Sequence, residues 1–164
     1  MFIILTLVVL GMLVWLIKGN NGDNNKIEWV TYTDPEGVFS FEYPRAFSVS
    51  GREGARLATV LVPQEYMPET NFLDAELTID WTSGATDATC SGTAVSAQFV
   101  DKEVYDKAVY KKIFDGDCYI LTSTIHTLHG LTDPEDAVHQ IEREKVEADF
   151  QKIIDSFQYL VDSD

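Results

Sequence analysis

The stretch with the firmest hold on the fold is "YTDPEGVFSFEYP", Tyr32 to Pro44. Phe39, Phe41 and Tyr43 fall on alternate positions, with Ser40 and Glu42 between them, so an extended strand turns three aromatics to one face. Ahead of them, "DPEG" puts Pro35 at the second and Gly37 at the fourth position of a turn, the type I pattern. Pro44 has no amide proton to give to a ladder and closes the strand. With "IEWVTYT", Ile27 to Thr33, before the turn, these residues predict a hairpin-like unit with an aromatic inner face. Every conspicuous side chain has a structural task, so the stretch speaks for a fold and not for a binding site.

The two-residue period continues down the chain. "LATVLVP" is a short apolar strand ended by Pro63. "AELTIDW" turns Ala75, Leu77, Ile79 and Trp81 inward and Glu76, Thr78 and Asp80 outward. "AVSAQFV" and "KAVYKKIF" read as strands separated by "DKEVYD", and "DGD", Asp115 to Asp117, is a hairpin signal leading into the β-branched run "CYILTSTIHT". "GREGAR" and "TSGATDATCSG" read as loops. The period then changes. Asp133 can cap a helix with Pro134 at its first position, and Val138, Ile141, Val146, Phe150, Ile153 and Phe157 make an apolar stripe about six turns long. A mostly antiparallel sheet with a long C-terminal helix laid on it is an α+β fold.

At the other end, Phe2 to Ile17 holds no charge over 16 positions. As a helix it spans roughly 24 Å, short but workable for a hydrocarbon core of about 30 Å. Residues 1–18 are therefore expected to form a transmembrane anchor, with a cleaved signal peptide as the competing reading. The run is long for a signal core, its start lacks Lys and Arg, and no A-x-A site follows. "GNNGDNN" and Lys26 make residues 19–26 a polar linker, and residues 27–164 form the domain. Lys18 and Lys26 favour a cytoplasmic domain, whereas the cysteines favour an extracytoplasmic one, and the latter is the expectation taken.

Charge narrows the range of partners. The chain carries 27 acidic and 12 basic residues, a net charge of -15. Residues 1–26 hold one acid (Asp23) and two lysines (Lys18, Lys26), which leaves the domain 26 acids and 10 bases, near -16. Such a field repels phosphate backbones, so nucleic-acid binding is not expected.

Three segments resemble a known family. "GVFSFEYPRAFSV" is similar to the opening of PsbP-like domains, with Phe47 in the place of a following aromatic. "KVEADFQKIIDSFQYL" resembles their C-terminal helix, and "GDCYILTSTIH" resembles a strand of bacterial membrane-tethered relatives. The resemblance spans Ile27 to Val161 and implies an α/β/α sandwich around a central antiparallel sheet. It also implies an accessory or binding role outside a membrane.

Candidate chemistry is sparse. Cys90 and Cys118 are the only cysteines, and in an exterior domain they suggest one disulfide, against the alternative of two buried thiols. His126, His129 and His139 could converge on a metal with Asp133 or Asp136, or could be three unrelated histidines. Asp74, Glu76 and Asp80 share one strand face, a solvated row and not the two sides of an acid–base cleft. No G-x-S-x-G elbow, Walker loop or G-x-G-x-x-G occurs. The expectation is a membrane-anchored extracytoplasmic accessory or binding module without catalytic activity or cofactor. It would contact the membrane through its N-terminal helix and an unknown protein or small ligand through its domain. Two other readings remain: a secreted ligand- or metal-binding protein, and a hydrolase with an unrecognised site.

Overall fold

A computed structural model describes residues 27–128 and 141–160. Along the chain run β1 (Trp29–Thr33), β2 (Phe39–Pro44), β3 (Ser48–Ser50), β4 (Arg56–Val62), a single 3-10 turn (Gln64–Tyr66), β5 (Phe72–Thr82), β6 (Ala94–Val100), β7 (Glu103–Phe114), β8 (Asp117–Leu128), α1 (Arg143–Ser156) and β9 (Gln158–Tyr159). The strands form a three-stranded sheet, β1-β2-β9, and a six-stranded one, β3-β4-β5-β8-β7-β6. Every pairing is antiparallel.

The first turn forms as its residues predict: the Gly37 amide donates to Asp34 O at 2.8 Å, and Asp34 Oδ2 accepts from the amide of Glu36. Phe39 and Phe41 are buried, and Tyr32 stacks on Phe41 with ring centroids 5.1 Å apart. At the "DGD" turn, Asp115 and Gly116 both take positive φ (50° and 79°), which lets Phe114 and Asp117 pair directly and sends β7 into β8.

Strand register sorts the six-stranded sheet into two faces. Val60, Leu77 and Ser123 lie in line across β4, β5 and β8, as do Ala58, Ile79 and Leu121. This inner face receives α1, which buries Val146, Phe150, Ile153 and Ile154 against it and against Phe39 and Phe41 of the smaller sheet. Each such side chain contributes about 1.5–3 kcal/mol by leaving water. The C-terminal end of α1 has no basic residue of its own in the last turn. Lys112 of β7 supplies the cation instead, donating its ammonium to Ile154 O at the negative end of the helix dipole. Burial pushes the Lys112 pKa down. The Glu42 amide donates to Ser156 Oγ at 2.9 Å, and the Lys152 ammonium lies 3.6 Å from the Trp29 ring centroid, so the small sheet holds the same helix from its other side.

The expected architecture is corrected here. No second helical layer exists among the described residues, so the α/β/α sandwich is replaced by a mostly β structure with one helix on one face. The physical reason lies in the outer face, where Glu76, Thr124 and Lys107 stand in line and Asp74, His126 and Tyr105 form the next such row. Side chains of this kind tolerate water and need no covering layer. The predicted N-terminal transmembrane helix falls on residues outside those described, and no helix among the described residues is long and apolar enough to cross a membrane.

The C-terminal helix is also shorter than its apolar stripe. It spans the 14 residues Arg143–Ser156, and Ile141 and Glu142 before it are not helical. Asn71 accounts for the break: its Oδ1 accepts from the Ile141 amide at 2.9 Å and its Nδ2 donates to Leu128 O at 2.9 Å. One side chain thereby holds both ends of the link from β8 to α1. The predicted cap at Asp133 lies outside the described residues.

Candidate functional site

The most unusual surface is β6, the outermost strand of the large sheet among the described residues. β6, "AVSAQFV", pairs with β7 along its whole length, and all seven of its residues are exposed. It contains no charge, in a chain whose net charge is -15. Val95 is 79% and Phe99 66% exposed, and the register places both on the inner face, opposite Ala108 and Val104. The other edge, β3, is only three residues long. Proteins usually shield a long sheet edge with lysine, proline, a bulge or a covering loop, because unpaired amides and carbonyls template association. β6 carries none of the first three.

Beside this edge lies a groove of about 410 Å³, floored by Ala108, Tyr110, Ser123 and Ile125, bounded by Val95, and walled by Arg143, Glu147 and Gln151 of α1. It exists because α1 covers the middle of the inner face and leaves the β6–β7 side open. Arg143 crosses it, 2.8 Å from Asp106 and 2.6 Å from Glu147. Burial pulls the Arg143 pKa down, but the hydrogen bonds it donates to Glu147 and Asp106, together with their negative charges, outweigh it and hold the pKa above its usual value, so its charge is fixed in the groove.

Of the proposed metal-binding histidines, His126 alone falls among the described residues. It lies on the outer face between two carboxylates, with Nδ1 3.3 Å from Asp74 Oδ2 and Nε2 3.1 Å from Glu103 Oε2. The second contact has an ion-pair distance but lacks the alignment of a directed hydrogen bond. Tyr105 stacks on the imidazole at 4.2 Å and donates its hydroxyl to Glu103 Oε2 at 2.6 Å. That hydrogen bond is the main reason the Glu103 carboxyl is held below its usual range, with His126 adding to it. The cluster ties β5, β8 and β7 together, and both ring nitrogens face carboxylates. No group of three or more His, Cys, Asp or Glu suited to a metal occurs among the described residues.

The cysteines form a disulfide. Cys90 and Cys118 are joined with Cα atoms 5.6 Å apart. The bridge fastens the loop before β6 to the start of β8, and the Ala85 amide donates to Gly116 O at 2.8 Å in the same place. The carboxylates of β5 separate: Asp74 faces His126, while Asp80 pairs with Arg56 at 3.2 Å. Trp81, expected inside, is 39% exposed. It borders a smaller cavity of about 220 Å³ with Arg52, Tyr119 and Tyr159, where Arg52 is already paired with Glu36 at 3.0 Å.

Two parts of this surface escape a reading by sequence. "AVSAQFV" is legible as a strand, but its place at an edge depends on the order of the others. Its lack of charge was the signal that could have marked it. Glu103 and Tyr105 fall in "DKEVYD", whose Asp101-Lys102 turn has no glycine to announce it, so β7 begins four residues before the predicted Lys107.

No protein-family model matches the chain, and no curated protein matches it. Similar solved structures exist. Cyanobacterial PsbP from Synechocystis sp. PCC 6803 shares 12% identity, with 84% of this chain and 96% of that one covered and a TM-score of 0.42. The Saccharomyces cerevisiae Ran-binding protein Mog1p shares 7% identity, with 82% and 97% covered and a TM-score of 0.48. A PsbP structure is thus among the similar solved structures, at low identity and with a TM-score below 0.5.

Proposed function

We propose that this protein is a non-catalytic binding module that receives a protein partner on the β6 edge and the groove beside it. The observation that carries the reading is β6 itself: seven residues, all exposed and uncharged, at the edge of the sheet among the described residues and bearing Val95, 79% exposed. A strand added to such an edge gains main-chain hydrogen bonds from the edge and side-chain contacts from the flanking pockets. The acidic net charge favours a partner surface that is neutral or basic where it meets the rest of the domain. The titratable cluster at His126 is engaged in holding three strands together, which supports binding over catalysis.

The disulfide supports a working place in an oxidising, extracytoplasmic compartment. Thiol trapping in intact cells checks this, since a chain with both thiols free would oppose it. The binding reading is tested with a photo-reactive side chain in the full chain, placed at Phe99 or, as control, at Leu61, an exposed apolar residue on β4 at 44%. Discrete protein adducts from position 99 and none from 61 are expected. Equal labelling at both positions, or none at 99, overturns it.

A further inference from the structure

We propose that the cavity beside Trp81 and Tyr119 is a binding site for a single neutral sugar unit. It shares no lining residue with the groove beside β6, so it goes beyond the protein-binding reading and stands independently of it. The cavity, of about 220 Å³, is lined by Trp81 of β5 with Asp117 and Tyr119 of β8 from the large sheet, by Tyr159 of β9 from the small one, and by Glu36 and Arg52 from the turns after β1 and β3. Trp81 and Tyr119 are directly opposed in the β5–β8 ladder and stand side by side on one face. The Trp81 ring is partly open to solvent and stacks on no aromatic ring of the described residues. Tyr119 is 1% exposed, yet its hydroxyl has no hydrogen-bond partner among the described residues. A hydroxyl withdrawn from bulk water in this way ordinarily has a partner, and a ligand in the cavity would supply one. Burial raises the Tyr119 pKa to about 12, Tyr159 and Asp117 add to the rise and Arg52 opposes it, so all three lie within electrostatic reach of that hydroxyl.

The donors and acceptors of the lining select the ligand class. Arg52 only donates, the carboxylates of Glu36 and Asp117 only accept, and the phenols of Tyr119 and Tyr159 do either. A sugar hydroxyl both gives and takes, so one ring bearing several of them answers all three kinds. Its C–H face is apolar and matches an indole left open to the cavity. Other classes fit worse. An anion would meet Asp117 in a strongly acidic domain, and Arg52, the cation of the lining, already pairs with Glu36 at 3.0 Å. A cation would meet the Arg52 guanidinium. An apolar ring would cover the carboxylates and the Tyr119 hydroxyl without giving them partners. A sugar unit of about twelve non-hydrogen atoms, at the efficiency of ordinary ligands, has an expected dissociation constant of about 1–10 mM.

Nuclear magnetic resonance titration of the isotope-labelled full chain tests this at the Trp81 indole N–H, which Trp81→Phe identifies among the three tryptophans. The probes are the methyl glycosides of glucose, galactose, mannose and N-acetylglucosamine. Tetramethylammonium, acetate and cyclohexanol stand for the cationic, anionic and apolar classes, and each compound is taken to about 50 mM, well above the expected dissociation constant. At least one glycoside should shift the indole signal saturably, and the other three compounds should not. Tyr119→Phe removes a hydroxyl that nothing in the described fold uses, so its urea midpoint should not fall, while glycoside binding weakens at least about threefold. Trp81→Ala should abolish saturation transfer from the protein to the glycoside. An unshifted indole with all four glycosides overturns the site, as does wild-type affinity in Tyr119→Phe. Saturation by the cation, the carboxylate or the apolar ring in place of the glycosides overturns the sugar.

Discussion

Tyr66 donates its hydroxyl proton to Asp149 Oδ2 across 2.6 Å, fastening the 3-10 turn after β4 to the middle of α1. Asp149 is buried, so its carboxylate depends on this donor in place of water. The Tyr66 ring is fixed as well, edge-on to Phe47 at 4.9 Å and beneath the Lys145 ammonium at 4.5 Å. Tyr66→Phe keeps those ring contacts and removes the donor alone. It is expected to lose about 1–3 kcal/mol in urea denaturation, the cost of a buried acceptor left unsatisfied. The double variant Tyr66→Phe, Asp149→Leu should recover part of the loss, and an unchanged midpoint in the single variant would contradict the account.

The same tyrosine contributes to an alkaline limit. Burial, then the Asp149 hydrogen bond, raises its pKa well above the ordinary 10.0, and burial pushes Tyr119 up to about 12. An unfolded chain releases these protons near pH 10, while the folded chain holds them to higher pH. Stability is therefore full below about pH 10 and falls as pH rises through the folded values, by at most about 1.4 kcal/mol per pH unit for each tyrosine. Denaturant midpoints measured from pH 8 to 12 should show the fall, and Tyr66→Phe should make it shallower.

How far this fold can be read in the sequence depends on whether a residue's task is local. Gly37, Pro44, Asp115 and Gly116 act within a few residues of themselves, and each sits where its chemistry predicts. Phe39 and Phe41 follow from the two-residue period and are buried. The readings that fail involve distant partners. Trp81 obeys the inward alternation of β5, yet it lies next to the strand's last residue and is half-open to solvent. The helix begins only at Arg143, two residues after Ile141, whose amide is taken by Asn71, 70 residues earlier. The candidate site is of this second kind: nothing in "AVSAQFV" says that it is the sixth and outermost strand in the order of the sheet.

At low pH the outer-face cluster loses one contribution. The Tyr105 hydroxyl, then His126, stabilises the Glu103 carboxylate and holds its pKa below the ordinary 4.5. This contribution to stability is present above about 4.5 and is lost as pH falls toward the folded value. Tyr105→Phe removes the larger cause while leaving a ring to stack on His126. Carboxyl titration by nuclear magnetic resonance should then find Glu103 moved upward, toward the ordinary range, and an unmoved Glu103 would show that the hydroxyl is not the cause.

The Cys90–Cys118 disulfide joins stability to the binding edge. It closes a loop of 28 residues in sequence separation, and in the chain-entropy model this contributes about 3–4 kcal/mol by restricting the unfolded chain. Its location adds a second effect, because Cys90 lies four residues before β6 begins and is fixed to Cys118, the second residue of β8. Reduction should therefore lower the urea midpoint and also loosen the approach to β6 more than the far side of the sheet. Amide hydrogen exchange with and without reductant separates the two effects. Protection should fall first in β6, Ala94–Val100, while β4 and β5 retain theirs, and photo-adduct yield from position 99 should fall in step. Uniform loss across the sheet would mean that the bridge acts through the unfolded state alone and does not position the edge.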